Sequence, residues 1–288
     1  MRGGQLCPVI EPCAFTARPI PIAKHENRSD MTTTLPINIV AFIFGACIGS
    51  FLNVCIYRIP AGLSIVHPGS SCPRCKTMIP FYNNIPILSY LLLVGKCGTC
   101  KAPIAIRYPL VELLGGFFAL ACLLSFGPTL HGLVVFAFIA TLIVVTFIDL
   151  DHRIIPDTIS LPGIPIFFLA ALVIPTMTWR TSALGILAGG GSLFVVAGVY
   201  QLITGREGMG GGDIKLLAMI GAMIGWQGIL FTLFAASAIG TLVGVSAMIR
   251  SGKGMRLAIP FGPFLAMGTI TYLFFGNAII VWYVNMLR

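Results

Sequence analysis

Long apolar segments, each near the length needed to cross a bilayer, are the feature that most constrains this chain. A helix needs about 20 apolar residues to span the hydrocarbon core. Only 9% of the residues are charged, whereas soluble domains carry about 25%. The sequence therefore predicts an all-α polytopic membrane protein with about eight transmembrane helices. The segments are roughly 36–57, 109–126, 129–148, 158–175, 182–203, 214–225, 228–249 and 258–280.

The basic residues indicate how these segments are oriented. The stretch 58–108 contains six Lys and Arg residues and no Asp or Glu, which places it in the cytoplasm by the positive-inside rule. Alternation then puts 149–157, 204–213 and 250–257 on the same side. The net charge of +9 is scattered between apolar segments and forms no basic stripe of the kind that binds nucleic acid. We expect contact with membrane lipid and no nucleic-acid partner.

The same pattern divides the chain into regions. Residues 1–35 are polar and lack the organisation of a secretory signal peptide, so we predict a disordered tail or an upstream extension, with Met31 as the alternative start. Residues 36–57 then form the first transmembrane helix and 58–108 form a small cytoplasmic domain. Residues 109–288 form the main membrane domain.

Four cysteines in the cytoplasmic stretch form a metal-binding pattern. Cys72 and Cys75 make one C-x2-C pair, and Cys97 and Cys100 make a second pair 21 residues later. Two such turns can present four thiolates tetrahedrally, which is the geometry of structural zinc. A pair of redox-active C-x-x-C motifs is the alternative, but no thioredoxin-like βαβ pattern surrounds them. We predict a zinc-ribbon-like loop whose metal folds the loop and does not catalyse, because four protein ligands leave no open position.

Two aspartates at the margins of apolar segments are the candidate catalytic groups. Asp149 lies in FIDLDH and Asp213 in GMGGGDIK. A carboxylate at such a margin is costly to keep ionised, and two carboxyl groups that share one proton can activate water for peptide hydrolysis. Gly210 and Gly212 are expected to allow positive φ and a close backbone approach beside Asp213. Lys215 is expected to support the site by pairing with a carboxylate or a phospholipid.

Glu112 is a third acid that needs an explanation, because it lies three residues inside an apolar segment. An isolated acid at that depth requires a partner, and Arg58 and Arg107 are the basic residues that the sequence offers. A structural role and the binding of a basic substrate segment are both open.

Seven sequence blocks, in order, resemble the bacterial type IV prepilin peptidases, which are bifunctional leader peptidases and N-methyltransferases. The resemblance implies the GxGD type of intramembrane aspartyl protease fold, with Asp149 and Asp213 as the catalytic pair. The blocks are GSFLNVCIYRIP at 49–60, the cysteine quartet, NIPILSYLLLVGKC at 84–97, RYPLVELLGG at 107–116, FIDLDHRIIPD at 147–157, GMGGGDIK at 208–215 and AIPFGPFLA at 258–266.

The resemblance further implies an enzyme of the bacterial inner membrane. Members of the family cleave the basic leader of prepilins and pseudopilins after a glycine, at the cytoplasmic face, and many then methylate the new N-terminus with S-adenosylmethionine. The resemblance places the methyl donor in the region 58–108, where Gly95 is the candidate cofactor-binding residue. Glu112 is the candidate for binding the basic leader. No Rossmann GxGxxG motif is present in the sequence.

Two other functions fit parts of the sequence. An ion-coupled transporter also uses intramembrane acids and glycine-broken helices, but here both acids lie at one membrane margin and no inverted repeat is visible. A non-enzymatic scaffold for secretion assembly would tolerate the loss of both aspartates, whereas a peptidase would not.

Overall fold

The structure, a computed structural model, describes residues 31–205, 210–251 and 260–286. Within these ranges the chain forms eight α-helices and one short 3₁₀ turn at Phe81–Asn84. Parts of the predicted connections 204–213 and 250–257, like most of the predicted tail, lie outside the described residues. The helices are α1 (Met31–Arg58), α2 (Leu88–Leu92), α3 (Arg107–Phe126), α4 (Leu130–His152), α5 (Asp157–Ala171), α6 (Trp179–Thr204), α7 (Gly211–Ser251) and α8 (Gly262–Met286).

The helices have the length and composition of a membrane protein. Within the described residues, five of them (α1, α3, α4, α6 and α7) are long and apolar enough to cross a bilayer. α5 and the first part of α8, Gly262–Gly276, are shorter apolar helices. The predicted all-α membrane architecture is confirmed. α1 begins at Met31, five residues before the predicted span.

α7 covers two of the predicted apolar segments, 214–225 and 228–249, and the chain changes direction between them at Gly225. The backbone there has φ 73° and ψ 176°, which is not helical. As α8 proceeds from Phe264 to Tyr272, the glycines it packs against on α7 go back from Gly240 to Gly228. The second part of α7 is therefore antiparallel to α8. The first part, before Gly225, is only about 21 Å long at 1.5 Å per residue.

Glycines allow two pairs of helices to approach closely. A Cβ added at Gly45 of α1 or Gly115 of α3 would collide with the backbone of the other helix. The same holds for Gly185 of α6 and Gly221 of α7. Lipid tails are as apolar as leucine, so helices in a membrane associate through close packing of this kind.

The interior is built mainly from α4 and the first part of α7, which also carry Asp149 and Asp213. α5 and α8 pack against both of these helices, whereas direct packing between α4 and α7 is slight. The two aspartate-bearing helices are thus held side by side by their neighbours. Their fully buried side chains include Phe138, Leu142 and Ile148 on α4 and Leu216, Ile220 and Met223 on α7.

The chain between α1 and α3 forms two similar turns around the cysteines. In each turn the lysine after the second cysteine has positive φ, 59° at Lys76 and 58° at Lys101. Its backbone N–H donates to the carbonyl of the first cysteine, Cys72 or Cys97, at 2.8 Å and 3.0 Å. An isolated β-bridge closes each turn, between Ser71 and Met78 and between Lys96 and Pro103. The two turns repeat one local fold, as expected for a zinc-ribbon-like loop.

Candidate functional site

Asp149 is buried in the last turns of α4, where its side chain is covered by the start of α8. The residue is 5% exposed, and its Oδ2 accepts a hydrogen bond of 3.0 Å from the backbone N–H of Gly262. A Cβ at position 262 would lie 2.7 Å from that oxygen, so a glycine is required here. The positive end of the α8 dipole therefore faces the Asp149 carboxyl group.

Asp213 lies in the first turn of α7 and is half-buried. Its carboxyl group interacts electrostatically with that of Asp149. The structure thus brings the two predicted carboxyl groups close enough for their charges to interact, although the two helices α5 and α6 separate them in sequence. Asp213 lies at the N-terminal end of its own helix, α7, just as the Asp149 carboxyl group faces the N-terminal end of α8. A negative charge is favoured at both places.

The glycines before Asp213 differ from the prediction in one respect. None of Gly210, Gly211 and Gly212 has positive φ, so that part of the prediction is wrong. The close approach holds for Gly212, because a Cβ there would lie 2.9 Å from the Cβ of Ile155 in the connection between α4 and α5. A Cβ at Gly210 or Gly211 would meet no described residue within 4 Å, so the part of the chain that the structure describes leaves the start of α7 uncovered.

Two ion pairs join the helix ends around the aspartates. The Lys215 ammonium donates to both carboxylate oxygens of Asp157, the first residue of α5, at 2.8 Å each. Arg107 at the start of α3 pairs with Asp151 of α4. Asp151 therefore faces α3 and belongs to a different contact from its neighbour Asp149. Both pairs are partly exposed, so their role is to align helix ends and their contribution to stability is small.

Glu112 has different partners from those the sequence suggested. Its carboxylate accepts a 2.7 Å hydrogen bond from the backbone N–H of Ile87. The guanidinium of Arg58 donates instead to backbone carbonyls of residues 64, 68 and 69, and Arg107 pairs with Asp151. The expectation of a basic partner is therefore wrong, because the described donor to Glu112 is the backbone N–H of Ile87. Binding of the basic leader by Glu112 stays a prediction.

Gly95 lies at the turn that follows α2. Its φ is +64°, and an added Cβ would lie 3.0 Å from the ring of Tyr90. The glycine is thus required by the backbone and by the packing of the second cysteine turn. A cavity of about 360 Å³ lies between α1 and the loop, with Ser50, Arg58 and Asn84 as its polar wall. Gly95 is not among the residues that line it.

The four predicted thiols lie together. Their Sγ atoms are all within 4.8 Å of one another, and those of Cys72 and Cys100 are 3.8 Å apart. Tetrahedral zinc with Zn–S bonds of about 2.3 Å requires sulfur atoms about 3.8 Å apart. The donor set and its spacing therefore fit a structural zinc ion.

The local hydrogen bonds favour the thiolate form of Cys75 and Cys97, whereas burial and the hydrogen bonds with the other cysteines raise the pKa of Cys100 to about 11. Hydrogen bonds from the side chain and the backbone of Thr77 lower the pKa of the Cys75 thiol to about 6. Backbone N–H groups of Cys100 and Thr99 lower the pKa of Cys97. Because metal binding requires deprotonated cysteine, these backbone donors prepare the site for a cation.

Sequence reasoning missed two groups of this site. Gly262 belongs to the block AIPFGPFLA, but it is 113 positions from Asp149, and no local pattern connects them. Ile87 was missed because its contact with Glu112 uses the backbone N–H, which carries no sequence signal. A glycine between two prolines at the start of an apolar helix was the available hint for Gly262.

Comparisons with known proteins agree with this geometry. Residues 43–126 match the bacterial peptidase A24 N-terminal domain, and residues 136–245 match the type IV leader peptidase family. A prepilin leader peptidase/N-methyltransferase of Aeromonas hydrophila is 35% identical over 270 residues, covering 85% of this chain and 93% of the relative. A protein of that name from Neisseria gonorrhoeae is 37% identical over 267 residues, covering 83% and 91%.

A third relative of the same name, from Myxococcus xanthus, is 40% identical over 212 residues, covering 74% of this chain and 63% of the relative. No solved structure matches the chain.

Proposed function

Because the chain belongs to the type IV leader peptidase family, we propose that it is a membrane-embedded aspartic endopeptidase that also methylates its product. It removes the basic leader of type IV prepilins and pseudopilins after a glycine and then methylates the new N-terminal residue. The observation that carries the peptidase assignment is that the Asp149 and Asp213 carboxyl groups, at the end of α4 and the start of α7, lie close enough for their charges to interact.

The two carboxyl groups suffice for amide hydrolysis. Of the pair, the ionised group takes a proton from water, and the water oxygen attacks the carbonyl carbon of the glycine. The C–N bond then breaks, and the protonated group gives its proton to the leaving amine. One proton stays shared by the pair, because two adjacent like charges in a low-dielectric site repel each other.

The surrounding residues position this chemistry. The Gly262 N–H holds one oxygen of Asp149, and Oδ1, which has no hydrogen-bond donor among the described residues, is the oxygen that faces the water. The open space beside Gly210 and Gly211 lets an extended substrate backbone lie next to Asp213. Lys215 secures the start of α7 to α5 through Asp157.

Methyl transfer requires a second location in the same chain. S-adenosylmethionine supplies the methyl group, and the substrate amine must be neutral to accept it. We place the donor in the region 58–108, where the cavity beside Ser50, Arg58 and Asn84 is within the size range of small-molecule sites. Gly95 contributes indirectly, because it shapes the turn after α2.

Zinc is the structural ion of this region. The four cysteines would hold it through the two repeated turns and would fill all four positions of its coordination shell. The ion fixes the loop between α1 and α3 and takes no part in peptide cleavage.

From the charges we infer an active site at the cytoplasmic face of the inner membrane. Arg58, Arg107, Arg153 and Lys215 lie at the helix ends nearest the aspartates, and the loop between α1 and α3 contains no acid. Basic residues concentrate on the cytoplasmic side. A basic leader that meets the aspartates there remains in water while its apolar segment stays in the bilayer.

Co-expression with a type IV prepilin tests both activities, with the intact mass of the pilin as the measurement. The parent protein removes the leader and adds about 14 Da, the mass of one CH₂. Asp149→Asn and Asp213→Asn each leave the prepilin uncut, since general acid–base catalysis contributes roughly 10²–10⁴-fold. Normal cleavage by either variant would remove that residue from the catalytic pair.

A further inference from the structure

The loop between α1 and α3 exposes an unusual amount of apolar surface for a cytoplasmic segment. Leu91 and Leu92 at the end of α2 are 65% and 74% exposed, and Val94 just after α2 is 79% exposed. Ile85 and Leu88 are also exposed. We call residues 85–94 the docking segment. A contiguous apolar patch of this kind marks a surface that meets another apolar phase.

The backbone holds the docking segment in one defined orientation. Ile87 and Val94, on either side of α2, both have positive φ, 64° and 51°. This conformation is costly for a β-branched residue and persists only where surrounding contacts enforce it. For Ile87 the enforcing contact is the 2.7 Å hydrogen bond to the buried carboxylate of Glu112.

That hydrogen bond also sets the depth of the segment. Glu112 is five residues inside α3, about 7.5 Å along the helix axis from Arg107. The backbone of Glu112 packs against Gly49 of α1, and Pro86 lines a cavity together with Ser50 and Phe51 of the same helix. The start of the docking segment therefore lies beside the transmembrane helices, below the level of Arg107.

The charged residues near the segment in sequence indicate what kind of surface it contacts. Arg58, Arg74, Lys76, Lys96 and Lys101 flank it in sequence, in a stretch without any acid. Exposed leucine and valine side chains flanked by Lys and Arg are the pattern of a segment that lies in an anionic membrane surface. Segments of this kind bury their apolar side chains by roughly 5–10 Å, which matches the depth of Glu112.

We propose that the docking segment inserts into the headgroup and acyl-chain boundary of the cytoplasmic leaflet, with anionic phospholipid as its partner and the Glu112–Ile87 hydrogen bond as its anchor. Resting on the proposed function, this docking keeps the zinc loop at the level where the newly cut N-terminus of a membrane-embedded pilin emerges. One chain then acts twice on a substrate that never leaves the bilayer.

Tryptophan fluorescence in vesicles tests the insertion directly. The full chain, with Trp179, Trp226 and Trp282 replaced by phenylalanine, carries Leu92→Trp or, as the matched control, Thr99→Trp at the polar tip of the second cysteine turn. The vesicles contain phosphatidylglycerol and phosphatidylethanolamine with brominated acyl chains. We expect Leu92→Trp to lose about half or more of its fluorescence, because bromine atoms then lie within the burial depth of roughly 5–10 Å.

The control and the anchor variants complete the experiment. Thr99→Trp keeps its fluorescence in the same vesicles. Adding Glu112→Leu to Leu92→Trp reduces the quenching towards the control, whereas Glu112→Gln, which retains an acceptor for Ile87, preserves it. Equal quenching of the two tryptophans by brominated vesicles overturns the proposal. Unchanged quenching with Glu112→Leu overturns the role of the Glu112–Ile87 hydrogen bond as the anchor. No substrate is present, so either failure is separate from failure of the peptidase assignment.

Discussion

At the scale of single residues, the contact between Gly262 and Asp149 explains how a buried carboxyl group is held at the end of α4. One backbone N–H occupies Oδ2, and the absence of a side chain at position 262 allows α8 to begin against it. Asp213 has no comparable donor among the described residues. The two carboxyl groups are therefore chemically distinct although their side chains are identical.

Gly262→Ala should reduce prepilin cleavage by at least about tenfold. The added Cβ would lie 2.7 Å from Oδ2 of Asp149, so the carboxyl group must move, and misplacement by about 1 Å costs up to roughly 10²-fold in rate. The cleavage rate of purified protein in proteoliposomes is the measurement. Gly191→Ala on α6 is the control, because its Cβ meets nothing within 4 Å. An unaffected rate with Gly262→Ala would show that Asp149 does not need this contact.

The sequence predicted the residues whose chemistry restricts their type. Asp149, Asp213 and the four cysteines could be singled out because carboxyl pairs and thiolate quartets have few substitutes in hydrolysis and zinc binding. The partners of Glu112 could not be predicted, because one of them is a backbone N–H in a strained turn. The φ angles of the glycines before Asp213 were predicted wrongly, since packing against Ile155 accounts for Gly212.

At the scale of helices, close packing between glycines holds α6 against the first part of α7, and this contact positions the helix that carries Asp213. The oxygen of Gly185 lies where a side chain of Gly221 would be. The Ser182 hydroxyl donates to the carbonyl of Ala222 at 2.6 Å beside it. A fixed first part of α7 is a precondition for a fixed Asp213.

Gly221→Ala should destabilise the protein by about 1–3 kcal/mol, the usual cost of overpacking a filled interface. Thermal unfolding in detergent, followed by loss of monodisperse protein, is the measurement, and a lower Tm is the expected result. Gly198→Ala serves as the control because its Cβ would enter open space on α6. An unchanged Tm in the Gly221 variant would mean that α6 and α7 are packed less closely than the structure shows.

The helices themselves were predictable because apolar length alone decides which segments can cross a bilayer. The segments 214–225 and 228–249 were separated correctly in sequence, and Gly225 is the residue at which the backbone leaves the helix. α2 was not predicted. It has only five residues, and tertiary contacts at Ile87 define it more than its own propensity does.

At the scale of the whole molecule, the proposed function assigns the two activities to separable parts of one chain. The aspartates lie on α4 and α7, which α5 and α8 hold together. The cysteines lie in the loop between α1 and α3, outside these helices, whereas α1 and α3 themselves pack directly against α4 and Arg107 pairs with Asp151. Damage to the loop should therefore affect methylation before it affects cleavage.

Removal of zinc tests this separation. We expect one zinc ion per chain by elemental analysis and less than one in Cys97→Ser, because three ligands bind zinc more weakly than four. In the variant, pilin should be cut at close to the parent rate but should lack the methyl group in its intact mass. Loss of cleavage in a variant that keeps its parent Tm would show that the loop contributes to the peptidase site.

The central claim is that Asp149 and Asp213 act as one catalytic unit. The cleavage rate of purified prepilin by Asp149→Asn, Asp213→Asn and the double variant, in the same proteoliposomes, tests it most directly. Residues that act as a unit have strongly non-additive effects, so each single variant should lose as much activity as the double variant. The account would be contradicted if the logarithm of the rate loss in the double variant equalled the sum of the logarithms for the two single variants. Cleavage retained by either single variant would also contradict it.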